Sequence, residues 1–161
     1  MLYKFTKSGE KVLNIASEIA SNLGHSYIGT EHILYGLAIE ENGVASKVLE
    51  NNNIYSSTIL ERIEELLGRE KKENFTVLGF TPRSKRILEI AYGEAKKIKS
   101  NFIGTEHILL GILKEDDSIA IRILLDLGIN IDEMYREIAK VLNDFNEEIN
   151  NKKIIKEERK R

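Results

Sequence analysis

Cysteine is absent from the 161 residues, which excludes a disulfide framework, thiolate ligation of zinc and a cysteine nucleophile. Tryptophan is absent as well, and the single proline leaves little in the chain to interrupt helices. No apolar run approaches the roughly 18 residues that a membrane span requires. The opening Met1-Leu2-Tyr3-Lys4 lacks the apolar stretch and small-residue cleavage site of a secretory signal, so the cytoplasm is the expected compartment. An excess of basic charge is also missing. Lys plus Arg number 24 against 26 Asp plus Glu, so no overall field draws nucleic acid.

What remains is a chain with 42% hydrophobic and 31% charged residues, the balance of a helix-rich globule in one compact domain or two very small ones packed together. Its charge is uneven. Six basic residues (Lys152, Lys153, Lys156, Arg159, Lys160, Arg161) and two acidic ones close the sequence, leaving 18 basic and 24 acidic residues in the rest. Such a tail reads either as an arm for acidic partners or as a solvated linker leading out of the domain, and composition favours the linker.

Sliding the sequence along itself brings out one register. Ile28-Gly29-Thr30-Glu31-His32-Ile33-Leu34 recurs as Ile103-Gly104-Thr105-Glu106-His107-Ile108-Leu109, an offset of 75. The same offset pairs Phe5-Thr6 with Phe80-Thr81, Leu13 with Leu88, Gly36 with Gly111, Ala45 with Ala120 and Ile63 with Ile138. No insertion is needed, and 20 of 63 positions are identical between residues 5–67 and 80–142. Two copies of one unit follow, too few for a solenoid, so a pseudo-twofold globule with a shared core is expected. The boundaries are a first repeat at 1–68, a linker at 69–79, a second repeat at 80–143 and a charged tail at 144–161.

Each copy reads as four helices, making an all-α bundle of about eight. Val12, Leu13, Ala16, Ile19, Ala20 and Leu23 form an apolar stripe at helical spacing, with Thr6 as cap. In the second copy Thr81 precedes Pro82, and proline suits the first helical position because its missing N–H has no intrahelical partner there. A second helix begins at Thr30 or Thr105, with Glu31 or Glu106 in its first turn, and ends near Glu40 or Glu115. Short helices cover Val44 to Glu50 and Ile119 to Leu127. A fourth follows a Ser57 or Asp132 cap and carries Leu60, Ile63, Leu66 and Leu67, or Ile138, Val141 and Leu142. No β-strand periodicity is present, and Phe75, Val77 and Leu78 predict that part of the linker packs down.

Few residues suggest chemistry. Gly24 and Gly29 have the spacing of a phosphate-binding loop, but Thr30-Glu31 stand where that motif needs Lys and then Ser or Thr, so the segment reads as a loop between helices. His32 and His107 each have a glutamate beside them and no second histidine at helical spacing, which favours packing or capping over a metal; no cofactor is implied. Ser8-Gly9 lacks a nucleophile-elbow context, and an enzyme is disfavoured. Two features could hold a ligand. The turn opened by Thr81 and Pro82 offers the N–H groups of Arg83 and Ser84 to an anion, strengthened by the Arg83 side chain, and Glu106 suits a guanidinium or ammonium. A threonine cap and a first-turn acid are equally ordinary helix chemistry.

Two copies of Ile-Gly-Thr-Glu-His-Ile-Leu, each preceded by Phe-Thr and a capped helix, resemble the Clp repeat (Clp N) domain of ClpC-type and ClpA-type AAA+ unfoldases, over about residues 3 to 143. Keeping Gly-Thr-Glu-His-Ile-Leu in both copies, with Phe80-Thr81-Pro82-Arg83, is most similar to the ClpC type of Gram-positive bacteria. The resemblance implies an eight-helix pseudo-twofold bundle without ATPase activity of its own. It implies a domain that docks adaptor proteins and unfolded or arginine-phosphorylated substrates for ATPase rings and the ClpP peptidase, with no nucleic acid and no membrane among its partners. It places the guanidinium of phosphoarginine on Glu31 and Glu106, and the phosphate on the helix starts, Thr6, Lys7 and Ser8 in the first copy and Thr81, Pro82, Arg83 and Ser84 in the second. Grouped copy by copy, the second site is expected to be the stronger, since Lys7-Ser8-Gly9 lacks an arginine. A free-standing regulatory protein that binds adaptors or substrates without an attached motor is the alternative.

Overall fold

The computed structural model describes residues 3–71 and 75–144; the basic tail lies outside them. The first repeat folds as α1 (Lys7–Asn22), α2 (Thr30–Ile39), α3 (Val44–Asn51) and α4 (Ser56–Leu67). The second folds as α5 (Pro82–Lys97), α6 (Thr105–Lys114), α7 (Ile119–Asp126) and a helix over residues 131–144, α8. Among the described residues the all-α, eight-helix reading therefore holds, to within a residue at most helix ends.

Caps explain the boundaries. Thr6 accepts a hydrogen bond from the Gly9 N–H at 3.0 Å, and Thr81 accepts one from the Ser84 N–H at 3.1 Å, with Pro82 at the first position of α5. The expected caps of the fourth helices are corrected. Helix α4 starts at Ser56 after Tyr55 and has no side-chain cap, so Ser57 already lies inside it. Before α8, Asn130 rather than Asp132 caps, its Oδ1 taking the Glu133 N–H at 3.0 Å from the three-residue distance an N-cap spans, whereas Asp132 is the immediate neighbour of that donor.

Within each repeat the first two helices pack antiparallel and very close. A Cβ built on Gly36 would lie 2.5 Å from the Val12 carbonyl oxygen, and one on Gly111 would lie 2.5 Å from that of Ile87, so a side chain at either place would wedge the hairpin apart. Both repeats contribute to one core, including Leu23, Ile33, Leu34 and Leu37 from the first and Ile87, Leu88, Ile108 and Leu109 from the second.

The halves are joined by contacts that repeat across the pseudo-twofold. Phe5 forms an isolated parallel bridge with Ile103, and Phe80 forms one with Ile28, pairings that residue periodicity did not predict because each is a single bridge. Thr6 N donates to the Ile103 carbonyl and Thr81 N to the Ile28 carbonyl, both at 3.0 Å. The linker does pack down in part. Glu70 N donates to the Leu23 carbonyl and Leu78 N to that of Ser26, and Val77 rests on the core, although the Leu78 side chain points to solvent.

Candidate functional site

Antiparallel packing decides which of the expected residues meet. It sets the start of α5 beside the end of α6. There Arg83 Nη1 lies 3.1 Å from Glu115 Oε1 and 2.8 Å from the Asp116 carbonyl, and Arg86 Nε lies 2.6 Å from Glu115 Oε2. Helix α6 has ten residues, about 15 Å of helix, so Glu106 at its start is a full helix length away. The grouping of Thr81, Pro82, Arg83 and Ser84 with Glu106 inside one copy is thus corrected.

The inter-repeat bridges supply the partner instead. Thr81 N and Ser84 Oγ both donate to the Ile28 carbonyl, each at 3.0 Å, and Ile28 leads through Gly29 and Thr30 into Glu31. By the pseudo-twofold, the Thr6 turn with Lys7 and Ser8 meets Ile103, which leads into Glu106. Each of these helix starts is therefore hydrogen-bonded to the loop that leads into the glutamate of the other repeat. The richer turn, with Arg83 and Lys85 both exposed, sits with Glu31.

Ser84 departs from expectation. Its N–H is taken by Thr81 Oγ1 and its hydroxyl by Ile28, and it is fully buried, so it braces the turn and offers nothing to an anion. On the other side Gly9 stands in its place, where a Cβ would lie 2.8 Å from the Ile103 carbonyl oxygen.

The two glutamates differ in cover. Each folds its carboxylate back against the glycine that precedes its helix, Glu31 on Gly29 and Glu106 on Gly104, in space that a larger residue would fill. Glu31 is only 5% exposed, whereas the Glu106 side chain is 19% exposed. Burial pushes the Glu31 carboxyl above its ordinary pKa, against the opposing pull of its own backbone N–H, His25 and Thr30.

The histidines serve as caps. Gly29 N donates to His32 Nδ1 at 2.8 Å and Gly104 N to His107 Nδ1 at 2.9 Å. Burial, with a smaller contribution from His25, holds His32 down to about 4; burial also lowers His107, partly offset by Glu106 and Glu94. In the first repeat the chain continues, His32 Nε2 donating to His25 Nδ1 at 2.8 Å and His25 Nε2 to the Gly68 carbonyl at 2.9 Å. In the second repeat Ser100 occupies the place of His25, and the buried His107 Nε2 has no partner among the described residues. Among the described residues no cluster of three or more potential metal ligands occurs.

Sequence reasoning missed two parts of this arrangement. The Arg83–Glu115–Arg86 cluster was hidden because its first-repeat counterparts are Ser8, Glu40 and Lys11, which form no such cluster. His25 was hidden because it does not recur at the offset of 75.

Residues 4–127 and 103–155 match the Clp repeat (R) N-terminal domain. Over 149 residues, 92% of its length, the chain is 41% identical to an ATP-dependent Clp protease ATP-binding subunit ClpC of Staphylococcus aureus (strain USA300), and it spans 18% of that relative. Among solved structures it superposes on the N-terminal domain of the chaperone ClpD from Arabidopsis thaliana with a TM-score of 0.75, at 22% identity and covering 89% of this chain and 97% of that one. It superposes on the N-domain of ClpV, solved in complex with a VipB peptide, with a TM-score of 0.64 at 17% identity, covering 88% of each. At those identities the two structures speak for the fold alone.

Proposed function

Since the chain belongs to the Clp repeat (R) N-terminal domain family, we propose that it is the substrate- and adaptor-docking part of a ClpC-type unfoldase and reads arginine-phosphorylated proteins. Delivery to ATP-dependent proteolysis, through ATPase modules and the ClpP peptidase, belongs to the remainder of such a protein.

One observation carries the reading: twice over, a capped helix start from one repeat is hydrogen-bonded beside a glutamate-bearing helix start of the other. Phosphoarginine bears an anion and a cation on one side chain. The exposed Pro82–Arg83 edge with Arg83 and Lys85 suits its phosphate, and Glu31 suits its guanidinium, a combination that rejects plain arginine and phosphoserine alike. The Thr6–Lys7–Ser8 turn with Glu106 makes a second cleft with one cation fewer. The stronger site is therefore the one built on Glu31.

Titration calorimetry of the chain with free phosphoarginine, against arginine and phosphate as controls, tests this directly. Saturable binding weakened more by Glu31→Ala than by Glu106→Ala is expected. Absence of binding to the folded chain would remove the phosphoarginine assignment and leave adaptor docking as the function.

A further inference from the structure

The bonds that run through His25 and His32 have one direction. Gly29 N–H occupies the lone pair of His32 Nδ1, so the His32 proton sits on Nε2 and is donated to His25 Nδ1. The His25 proton then sits on Nε2 and is donated to the Gly68 carbonyl. Every position is satisfied only while both rings are neutral.

A proton added to His25 can go only to Nδ1. That N–H would face His32 Nε2–H across 2.8 Å, two donors in opposition. When His32 releases its Nε2 proton to solvent and takes one at Nδ1, its Nε2 accepts from His25 and the opposition passes to the other end of the ring, where the Gly29 N–H lies 2.8 Å from Nδ1. The pair has then gained one proton in total. His32 Nδ1–H no longer accepts from Gly29, and Glu31 Oε1, 3.5 Å away, stands ready to receive it. Burial keeps the charge off His32 itself, which is held to about 4. The charged and titratable groups on the elements around His25 are Glu18 toward the end of α1, Glu31, His32 and Tyr35 on α2, Glu61, Arg62, Glu64 and Glu65 on α4, and Arg69, Glu70 and Lys71 in the segment that follows.

The second repeat shows that the fold does not need this pair. With Ser100 in place of His25, its hydroxyl bonded to the Phe102 backbone, α6 still starts with the same glycine-to-histidine bond. His25 thus belongs to the Glu31 cleft and has no counterpart beside Glu106.

We infer that His25 is a positioning residue whose protonation, relayed through His32, engages the Glu31 carboxylate and withdraws it from a guanidinium ligand. The inference rests on the reading of Glu31 as the guanidinium acceptor. It makes the Glu31 cleft sensitive to protonation of His25, and leaves the Glu106 cleft without that sensitivity.

Nitrogen NMR of the imidazoles tests the relay with no ligand present. Before the relay both rings should show the Nε2–H tautomer; after it, on acidification, His25 should be doubly protonated and His32 a neutral Nδ1–H tautomer. The Gly29 amide should shift in that step and the Gly104 amide should not. A His32 that keeps its Nε2–H tautomer throughout, or glycine amides that move together, would overturn the relay. The binding arm uses phosphoarginine and the Glu106→Ala chain. Affinity should fall about tenfold per pH unit once His25 is protonated, as one linked proton requires. His25→Asn, whose Oδ1 stands where Nδ1 does and can still accept from His32 but which cannot titrate, should show a shallower profile, with only the protonation of Glu31 itself left to weaken binding in acid. A pH dependence as steep in His25→Asn as in its parent would overturn the role of His25, whereas absence of binding at every pH would overturn the phosphoarginine reading and leave the imidazole signals to decide the relay.

Discussion

The hydroxyl of Thr105 accepts the Ala45 N–H at 3.2 Å, capping a helix that lies 60 residues earlier in the chain. Thr30 does the same for the Ala120 N–H at 3.1 Å. Each donor is the second residue of its helix, α3 or α7, where no intrahelical acceptor exists. The helix that carries each glutamate is thereby pinned to the opposite repeat.

Replacing either threonine by valine keeps the volume and leaves a buried N–H without a partner. Each change should cost about 1–3 kcal/mol, read as a lower denaturant midpoint with an unchanged slope. Loss of one helix only, with the rest intact, would contradict a cap that joins the two repeats.

The histidines and Glu31 give stability opposite dependences on pH. His32 is held below its ordinary value, so the unfolded chain binds the extra proton between about 6.5 and about 4. Its stabilisation is complete above that window and is lost as pH falls through it, up to about 3 kcal/mol; His107 acts in the same direction. Glu31 is raised, so its folded form holds a proton that the unfolded form has released, and its contribution is lost as pH rises above about 4.5. Glu31→Gln should therefore be more stable than the parent at neutral pH, with the difference shrinking on acidification. Chemical denaturation of the two chains from pH 7 down to about 4 checks both signs.

Arg83→Ala should weaken phosphoarginine binding by about tenfold, the value of one charge-assisted contact. It should lower stability by no more than about 1 kcal/mol, because the Arg83 side chain is half exposed and the buried Glu115 keeps its bond to Arg86. In a double-mutant cycle Arg83→Ala should couple to Glu31→Ala and add independently to Glu106→Ala. Coupling to Glu106 instead would mean that the clefts are formed within single repeats.

Exchanging the residues under the two caps should be costly both ways. Gly9→Ser would drive a Cβ toward the Ile103 carbonyl and cost about 1–3 kcal/mol. Ser84→Gly would remove the bond to Ile28 and loosen the first turn of α5, for about 1–2 kcal/mol. Melting temperatures of the two variants provide the measurement, and a neutral Gly9→Ser would show that this side can relax to the spacing of the other.

The helices were legible because their information is local. The stripe from Val12 to Leu23, the Thr81-Pro82 start and the repeated Gly-Thr-Glu-His segment each act within a few residues. The grouping of site residues was not legible, for the same reason. An offset of 75 says which residues are equivalent and nothing about which equivalents touch; only the antiparallel hairpin separates Arg83 from Glu106, and only the Ile28–Phe80 bridge brings Thr81 to the Glu31 side. His25 illustrates the opposite blind spot, since looking for what recurs passes over a residue present once.

The reciprocal bridges, Phe5 with Ile103 and Ile28 with Phe80, have the pattern of an isologous interface, in which one patch meets its own copy about a twofold axis. The chain is in effect a homodimer tethered by its linker. Severed there, the halves carry complementary surfaces for reassociation, and each alone would expose the seam that its partner covers. Tethering also frees the halves from sequence identity, so a histidine in one and a serine in the other give two equivalent positions different chemistry, which a true homodimer could never do.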